Sequence, residues 1–328
     1  MKRLCLLGII AILAAAIQPA RADTASWPER PVRIISAYPP GGASDNITRL
    51  VAAHLTTALG QTFVVVNRPG AGGMIGTAAV AKAKNDGYTL LLSPSGPFAT
   101  ALPFFKNIGF DPARDFSAIS YVGHYEMAMV TNAQTPFRTV AELVAYTRAN
   151  PGKVRFAVPT IGGIPHLTSE LFQWKAGLQG IKVPYKGSSE ALTDLAAGHI
   201  DVDVDSMPAL MQMIHGNRLL PLAVTAEQRL EALPDVPTFK ELGYPDLVAY
   251  AWLALLTPAG TPAPIIDKLA RTMKQILADP AVVAQFRQAG ARPEWRSAAD
   301  TDRFIREEVA RWQKVVDDAN VLASFPAQ

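Results

Sequence analysis

The stretch from Pro39 to Asp45 reads PPGGASD and lies between a strand-like run, Val32 to Ala37, and a helix-like run, Ile47 to Leu59. Glycines lack a Cβ, so backbone N–H groups at such a strand-to-helix junction can come close to a ligand oxygen. The helix N-terminus adds partial positive charge. This stretch, called loop A below, therefore predicts an anion-binding turn in a fold where strands alternate with helices.

A second stretch of the same character runs from Thr160 to His166 and reads TIGGIPH. It follows the apolar run Val154 to Val158 and precedes the amphipathic run Leu167 to Trp174. We call it loop B and expect the two loops to face each other across a cleft. The candidate ligand-binding residues are Pro40, Gly41, Gly42, Ala43, Ser44 and Asp45 in loop A, and Thr160, Ile161, Gly162, Gly163 and His166 in loop B.

Two of these candidates have competing interpretations. A carboxylate at Asp45, in the first helical turn, stabilises the helix by about 0.3–1 kcal/mol but would repel an anionic ligand. We favour a role in which Asp45 faces backbone or solvent, with a contact to a cationic ligand group as the alternative. His166 begins the next helix, where a neutral imidazole is favoured. A hydrogen bond from it to ligand or loop and a purely structural role stay equally open.

Polar residues also follow other predicted strands, where they can face a cleft at the carboxyl edge of a sheet. Lys186 is the obvious cation for a solute with several carboxylates, although a solvated lysine is the alternative. The alternation from Asp201 to Val204 predicts that Asp201 and Asp203 point outward and that Asp205 ends the strand. Candidates at these strand ends are Ser93, Ser95, Tyr185, Lys186, Gly187 and Asp205.

The N-terminal residues are typical of a secretory signal. Lys2 and Arg3 precede an apolar stretch, and Ala20-Arg21-Ala22 predicts cleavage after Ala22. Removal of this segment takes three of the 31 basic residues and leaves a balance with the 28 acidic ones, which gives no support for nucleic-acid binding. We therefore expect an exported, periplasmic protein.

The sequence offers no recognisable cofactor or metal motif. The single cysteine, Cys5, lies in the predicted signal, so the mature chain would have no disulfide and no thiol nucleophile. The glycine-rich stretch Asn67 to Gly76 lacks the G-x-G-x-x-G spacing of dinucleotide sites. The five histidines are spread singly along the chain. We expect neither a cofactor nor a metal.

Short apolar runs alternate with helical patterns almost throughout, which predicts an α/β architecture with mostly parallel sheets. After Pro262 three helical patterns follow one another without a recognisable strand, and Ser297 is placed to cap the last of them. The predicted strands are 32–37, 63–66, 89–92, 127–130, 154–158, 181–185, 202–205, 220–225 and 252–257.

Several segments carry a family resemblance across essentially the whole mature chain. They are Tyr38 to Gly42 with Asp45, Asn67 to Gly73 with Ile75-Gly76, Asp86 to Leu91, Val183 to Gly187, Leu233 to Thr238 and Pro258 to Pro262. Together they resemble the Bug/TctC family, the periplasmic solute receptors of tripartite tricarboxylate transporters. The resemblance implies a type II periplasmic binding protein with two α/β domains and a ligand cleft between them. It also places Asp205 near the ligand.

On that resemblance, residues 23–124 and 251–328 form domain 1, residues 125–250 form domain 2, and the tail helices pack on domain 1. The implied function is a monomeric, non-catalytic receptor that closes on a small carboxylate or amino-acid-like solute. It would deliver the solute to membrane permease subunits, or signal to a membrane sensor kinase. The alternative is a periplasmic hydrolase using Ser95, His166 and Asp205, although the chain has no G-x-S-x-G elbow.

Overall fold

The computed structural model describes residues 26–105 and 107–325, so the predicted signal at 1–22 lies outside the described residues. Within them the strands are β1 (Val32–Ser36), β2 (Phe63–Asn67), β3 (Thr89–Pro94), β4 (Phe116–Tyr125), β5 (Met127–Asn132), β6 (Arg155–Val158), β7 (Ile181–Pro184), β8 (Val202–Ser206), β9 (Leu219–Val224), β10 (Ala251–Pro258) and β11 (Arg292–Arg296). The helices are α1 (Ala43–Leu59), α2 (Met74–Ala81), α3 (Val140–Ala149), α4 (Ile164–Ala176), α5 (Ser188–Ala197), α6 (Met207–His215), α7 (Ala263–Ala278), α8 (Pro280–Gln288), α9 (Ala298–Asp318) and α10 (Val321–Ser324).

The first sheet has the strand order β11-β4-β10-β3-β1-β2. β1 pairs in parallel with β2 and β3, whereas β10 runs antiparallel to β3 and β4, and β11 runs antiparallel to β4. The sheet is therefore mixed rather than mostly parallel. Because β1, β2 and β3 are parallel, their carboxyl ends, and with them loop A, lie along one edge.

The second sheet has the order β7-β6-β8-β5-β9. β6 is parallel to β7 and β8, while β5 is antiparallel to β8 and β9. The carboxyl ends of β6, β7 and β8 share an edge, from which loop B, Tyr185 and Asp205 all emerge.

Two connections join the sheets. Only Glu126 separates β4 in the first sheet from β5 in the second. The chain returns after β9 ends at Val224, through a largely irregular segment that reaches β10 at Ala251.

Each of the nine predicted strands has a counterpart, but β4 and β11 were not predicted. Ser117, Ser120 and Gly123 interrupt the apolar pattern of β4. β11 is a five-residue edge strand with Pro293 and three charged residues, so its pairing with β4 has no local signal. The expectation of three consecutive tail helices is accordingly wrong, since β11 lies between α8 and α9.

Apolar spacing explains where α1 lies. Ile47, Val51 and Leu55 are completely buried and pack in one cluster with Leu269 and Met273 of α7. Each such side chain contributes about 1.5–3 kcal/mol on burial. This packing positions the N-terminus of α1, and therefore loop A, at the edge of the first sheet.

The tail is not confined to the first sheet. The Ser297 side chain caps α9 by accepting a hydrogen bond from the Asp300 N–H, as its sequence context predicts. From there α9 contacts both β4 of the first sheet and α4 beside the second.

None of the helices in the described parts of the chain combines the length and apolar character that a membrane span requires.

Candidate functional site

The two glycines of loop A have different conformations. Gly41 has φ +82°, a left-handed conformation that favours glycine, whereas Gly42 has φ −75° and ψ 168° and is the N-cap of α1. A Cβ built on Gly42 would find Pro39 O as its nearest neighbour, at 3.8 Å. The turn therefore requires a glycine at 41, while position 42 has open space beside the start of the helix.

Asp45 holds loop A in shape. Its carboxylate accepts hydrogen bonds from Gly41 N at 2.9 Å, Asn67 Nδ2 at 2.7 Å and Arg49 Nε at 2.9 Å. Burial by itself raises the pKa of Asp45, but the hydrogen bonds from Asn67, Gly41 and Arg49 outweigh burial and lower it overall. The carboxylate faces backbone and neighbouring side chains, which is the role favoured from the sequence.

The start of α1 leaves donors unused. Asn46 N is the first amide to bond within the helix, to Gly42 O at 3.0 Å. The N–H groups of Gly42, Ala43 and Ser44 have no partner among the described residues, and Ser44 Oγ is buried and unpartnered there as well. Tyr125, at the end of β4, donates to Ala43 O at 2.6 Å and so ties this helix start to the connection between the sheets.

Loop B is built in the same way with different partners. Gly162 has φ +74°, and its N–H donates to His166 Nδ1 at 3.1 Å. Gly163, the N-cap of α4, donates its N–H to Thr160 O at 3.0 Å. The N–H groups of Ile164 and His166 have no partner within the described parts of the chain. In both loops the amide of the left-handed glycine, Gly41 or Gly162, donates a hydrogen bond within the loop, and amides at the helix N-terminus have no partner.

His166 is fully buried and belongs to the framework of loop B. Its Nε2 lies 3.7 Å from Glu170 Oε1, which is longer than a hydrogen bond. Glu170 Oε2 accepts from Lys182 Nζ at 2.5 Å. Burial would raise the pKa of Glu170, yet His166 and Lys182 together lower it. His166 does bond to loop B, but as the acceptor of the Gly162 N–H rather than as the expected donor, and a contact of His166 with the ligand stays a prediction.

The segment 96–104 contacts loop B and Tyr38, the residue that precedes loop A. The Tyr38 hydroxyl, next to loop A, donates to Gly72 O at 3.0 Å, and a Cβ on Gly96 would lie 2.8 Å from that hydroxyl. A few residues further on, Ala101 Cα is 2.9 Å from the Cβ position of Gly162. The segment 96–104 therefore brings loops A and B to the same side of the molecule.

The remaining candidates lie at the expected sheet edges. Ser93 and Ser95 are buried at the end of β3, and Ser93 Oγ donates to Pro94 O at 3.0 Å. Tyr185 donates its hydroxyl to Asp194 at 2.9 Å. Lys186 is exposed after β7, followed by Gly187 as the N-cap of α5.

The expectation that Asp203 points outward is wrong. Asp203 and Asp205 are 1 % and 2 % exposed, because β8 is an inner strand and α5 and α6 cover the face that carries both side chains. Burial, together with the neighbouring Asp205 charge, raises the pKa of Asp203 well above its usual value, and burial also raises that of Asp205. Both Asp203 oxygens and Asp205 Oδ2 lack a hydrogen-bond partner among the described residues.

The proposed hydrolase residues do not form a triad. His166 Nδ1 accepts from a backbone amide, and Asp205 Oδ1 accepts from Ser206 N at 2.6 Å. No hydrogen bond joins Ser95, His166 and Asp205 in the described structure. Among residues 26–105 and 107–325, no group of three His, Cys, Asp or Glu side chains is arranged to hold a metal ion.

Sequence reasoning missed Asn67 as a side chain that holds loop A in shape. Its amide bonds Tyr38 O at 3.0 Å as well as Asp45. Its position at the end of β2, the neighbour of β1, was the available signal. The contribution of Ala101 had no such signal, because a short 3-10 turn brings this part of the chain against loop B.

A cavity of about 740 Å³ lies elsewhere. It is lined by residues of several elements, among them Tyr121 and His124 of β4, Trp174 of α4, Phe304 of α9, and Tyr250 just before β10. Trp174 is eight residues beyond His166 on α4, roughly 12 Å along the helix axis. No residue of loop A or loop B lines this cavity, so it is distinct from the loops.

Comparison with known proteins identifies the family. The model of the tripartite tricarboxylate transporter family receptor (TctC) matches residues 47–321. The chain belongs to this family. It is 40 % identical over 316 residues to Protein BugT of Bordetella pertussis, with 96 % of each chain covered. Members of the family are solute-binding receptors rather than enzymes, so the chain is a solute receptor.

Solved structures of relatives confirm the fold. R. palustris Rpa4515 with adipate superposes with a TM-score of 0.83 at 34 % identity, covering 90 % of this chain and 98 % of that one. The periplasmic binding protein BugD superposes with a TM-score of 0.80 at 33 % identity, covering 90 % and 99 %. The chain therefore has the periplasmic binding protein fold that the sequence resemblance implied, and its family members are periplasmic binding proteins.

Proposed function

We propose that this receptor binds a small carboxylate, including amino-acid-like carboxylates, between loops A and B. The observation that carries the proposal is the pair of helix N-termini at Gly42 and Gly163, which keep unpaired amides on one side of the molecule. The proposed ligand-contacting groups are the N–H groups of Gly42, Ala43, Ser44, Ile164 and His166, with the other candidates at the sheet edges framing the rest of the solute.

Backbone dipoles can bind such a ligand without an arginine clamp. Several N–H groups converging on a carboxylate stabilise its charged form in a site shielded from water. Asp45 does not oppose this, because its charge is engaged by Gly41, Asn67 and Arg49. The acidic ligand would thus meet donors from both loops rather than a formal countercharge.

Closure follows from the two connections between the sheets. We take residues 23–124 with 251–328 as domain 1 and residues 125–250 as domain 2. A ligand that contacts loop A in one domain and loop B in the other binds the closed form more tightly and shifts the population toward it. The contact of Gly162 with Ala101 is a closed-form contact on this view.

The proposed biological role follows from the family to which the chain belongs. The receptor would act as a monomer in the periplasm after signal cleavage following Ala22. It would deliver its solute to membrane permease subunits of a tripartite tricarboxylate transporter, with a membrane sensor kinase as the alternative recipient. Adipate bound to the R. palustris relative is a dicarboxylate, which makes dicarboxylates the first class to test.

Isothermal titration of ligand-stripped protein against dicarboxylates, tricarboxylates, acidic amino acids and aromatic acids tests the proposal. We expect saturable heat from at least one carboxylate. Native mass spectrometry of protein purified without denaturation would show a retained solute directly. Absence of heat from every carboxylate, together with an empty native spectrum, would refute it.

The variant Gly42→Val locates the site. Valine fits the extended φ and ψ of position 42, and nothing lies closer to its Cβ than Pro39 O at 3.8 Å. We expect binding to fall at least 100-fold while stability changes by about 1 kcal/mol, the cost of valine at an N-cap. Thr139→Val, at the N-cap of α3, is the control and should retain full affinity. Unchanged affinity in Gly42→Val would place the ligand elsewhere.

A further inference from the structure

The C-terminal residues reach loop B. After α10, Phe325 is 9 % exposed, and its ring meets the His166 ring edge-on, with centroids 4.6 Å apart and planes at 77°. Phe104, in the segment 96–104 that follows β3 of the first sheet, also packs near this imidazole, with ring centroids 5.6 Å apart. His166 is therefore held between an aromatic ring beside the first sheet and one from the end of the described chain.

The hydrogen bond to Gly162 defines the state of this imidazole. Because Gly162 N–H donates to Nδ1, a neutral His166 carries its proton on Nε2. That N–H points toward Glu170 Oε1 at 3.7 Å, and no hydrogen bond to Nε2 exists among the described residues. Ring packing, more than a second hydrogen bond, must keep the imidazole in this orientation.

The tail also contacts the neighbouring ion pair. Lys182 Nζ, which donates to Glu170, donates as well to Ser324 Oγ at 3.2 Å. The same ammonium lies 5.9 Å from the Phe325 ring centroid. The last described residues, Ser324 and Phe325, thus contact both His166 and the Lys182 side chain that pairs with Glu170.

We propose that Phe325 is a positioning residue for ligand binding. It holds His166 against the Gly162 amide, and this fixes loop B so that the Ile164 and His166 amides point at the solute. The proposal rests on the proposed function of loop B. Since α9 contacts both β4 and α4 and is followed by α10 and Phe325, the tail links the first sheet to loop B beside the second.

NMR of ligand-free, uniformly ¹⁵N-labelled protein tests the positioning step, with His166→Gln to assign the imidazole signal. In the unaltered protein we expect a single Nε2–H tautomer and a protected Gly162 amide. In Phe325→Ala we expect mixed tautomers, at least tenfold faster Gly162 exchange and about tenfold weaker carboxylate binding. Phe325→Tyr keeps the ring and should restore all three.

Leu322→Ala on α10 is the matched control, because Leu322 is a half-buried tail residue without a ring contact to His166. It should lower the melting temperature but leave the histidine signal and affinity unchanged. If Phe325→Ala does not fold, Phe325→Leu replaces it. Unchanged tautomer and exchange in Phe325→Ala, or in Phe325→Leu where that variant replaces it, would overturn the proposal, and so would an equal affinity loss in Leu322→Ala. If the unaltered protein binds no carboxylate, the proposed function fails, and the ligand-free spectra alone decide whether Phe325 positions His166.

Discussion

Replacing Asp45 by alanine should both destabilise the protein and abolish solute binding. The carboxylate is 1 % exposed and bridges the Gly41 amide, the Asn67 side chain and Arg49. Alanine removes all three bonds at once. Loop A would then lose the interaction that folds its glycine turn back onto the first turn of α1.

The magnitude follows from how well water can replace each bond. A hydrogen bond to a charged group contributes about 1.5–3 kcal/mol when its partner is left unsatisfied on removal. Gly41 is exposed and the Arg49 side chain is 51 % exposed, so water compensates most of those two losses. The half-buried Asn67 amide is compensated less. We expect a loss of about 2–3 kcal/mol in the free energy of unfolding.

The pH dependence has a definite sign. The pKa of Asp45 is lower in the folded state, so its contribution is present above the unfolded pKa of about 3.9 and is lost as pH falls through the folded pKa. Urea unfolding at pH 7 and at pH 3 measures this. The difference between the unaltered protein and Asp45→Ala should be largest at pH 7 and shrink in acid.

A matched control separates the loop effect from the helix dipole. Asp300 occupies the first turn of α9 and is half-buried, with its side chain bonded to Ser297 and Arg303. Asp300→Ala should cost no more than about 1 kcal/mol and leave solute binding intact. Stability and affinity in Asp45→Ala equal to those in Asp300→Ala would refute the reasoning.

Two other perturbations have clear expectations. Asp203→Asn should stabilise the protein by about 1 kcal/mol at pH 7, since it removes one of two buried carboxylates. Because the folded pKa of Asp203 is raised, the stability of the unaltered protein should fall as pH rises through that pKa. In thermal melts from pH 5 to 8, the melting temperature of the variant should therefore change less with pH than that of the unaltered protein. A destabilised variant would contradict this. Gly162→Ala strains a residue with φ +74° and places a Cβ 2.9 Å from Ala101 Cα. We therefore expect a loss of about 1–2 kcal/mol in the free energy of unfolding and a larger radius of gyration by X-ray scattering. An unchanged radius would show that this contact does not hold the loops together.

Much of the architecture was available from local pattern. The apolar run of β1 and the 3.6-residue spacing of Ile47, Val51 and Leu55 predict a strand and a helix, and so place loop A between them. The same reasoning holds for loop B before α4. That Asp45 faces backbone rather than ligand could be expected, because a carboxylate in a first helical turn has a local electrostatic reason to be there.

What depends on distant parts of the chain could not be predicted. β11 is a strand only because β4 offers it a partner, and Asp203 is buried only because helices cover an inner strand of the second sheet. The contact of Phe325 with His166 joins residues 159 positions apart. The sequence alone determined the alternating elements and the glycine turns, since these follow from neighbours along the chain. Tertiary structure decided which amides stay free and which groups are buried, because pairing and packing between remote segments control both.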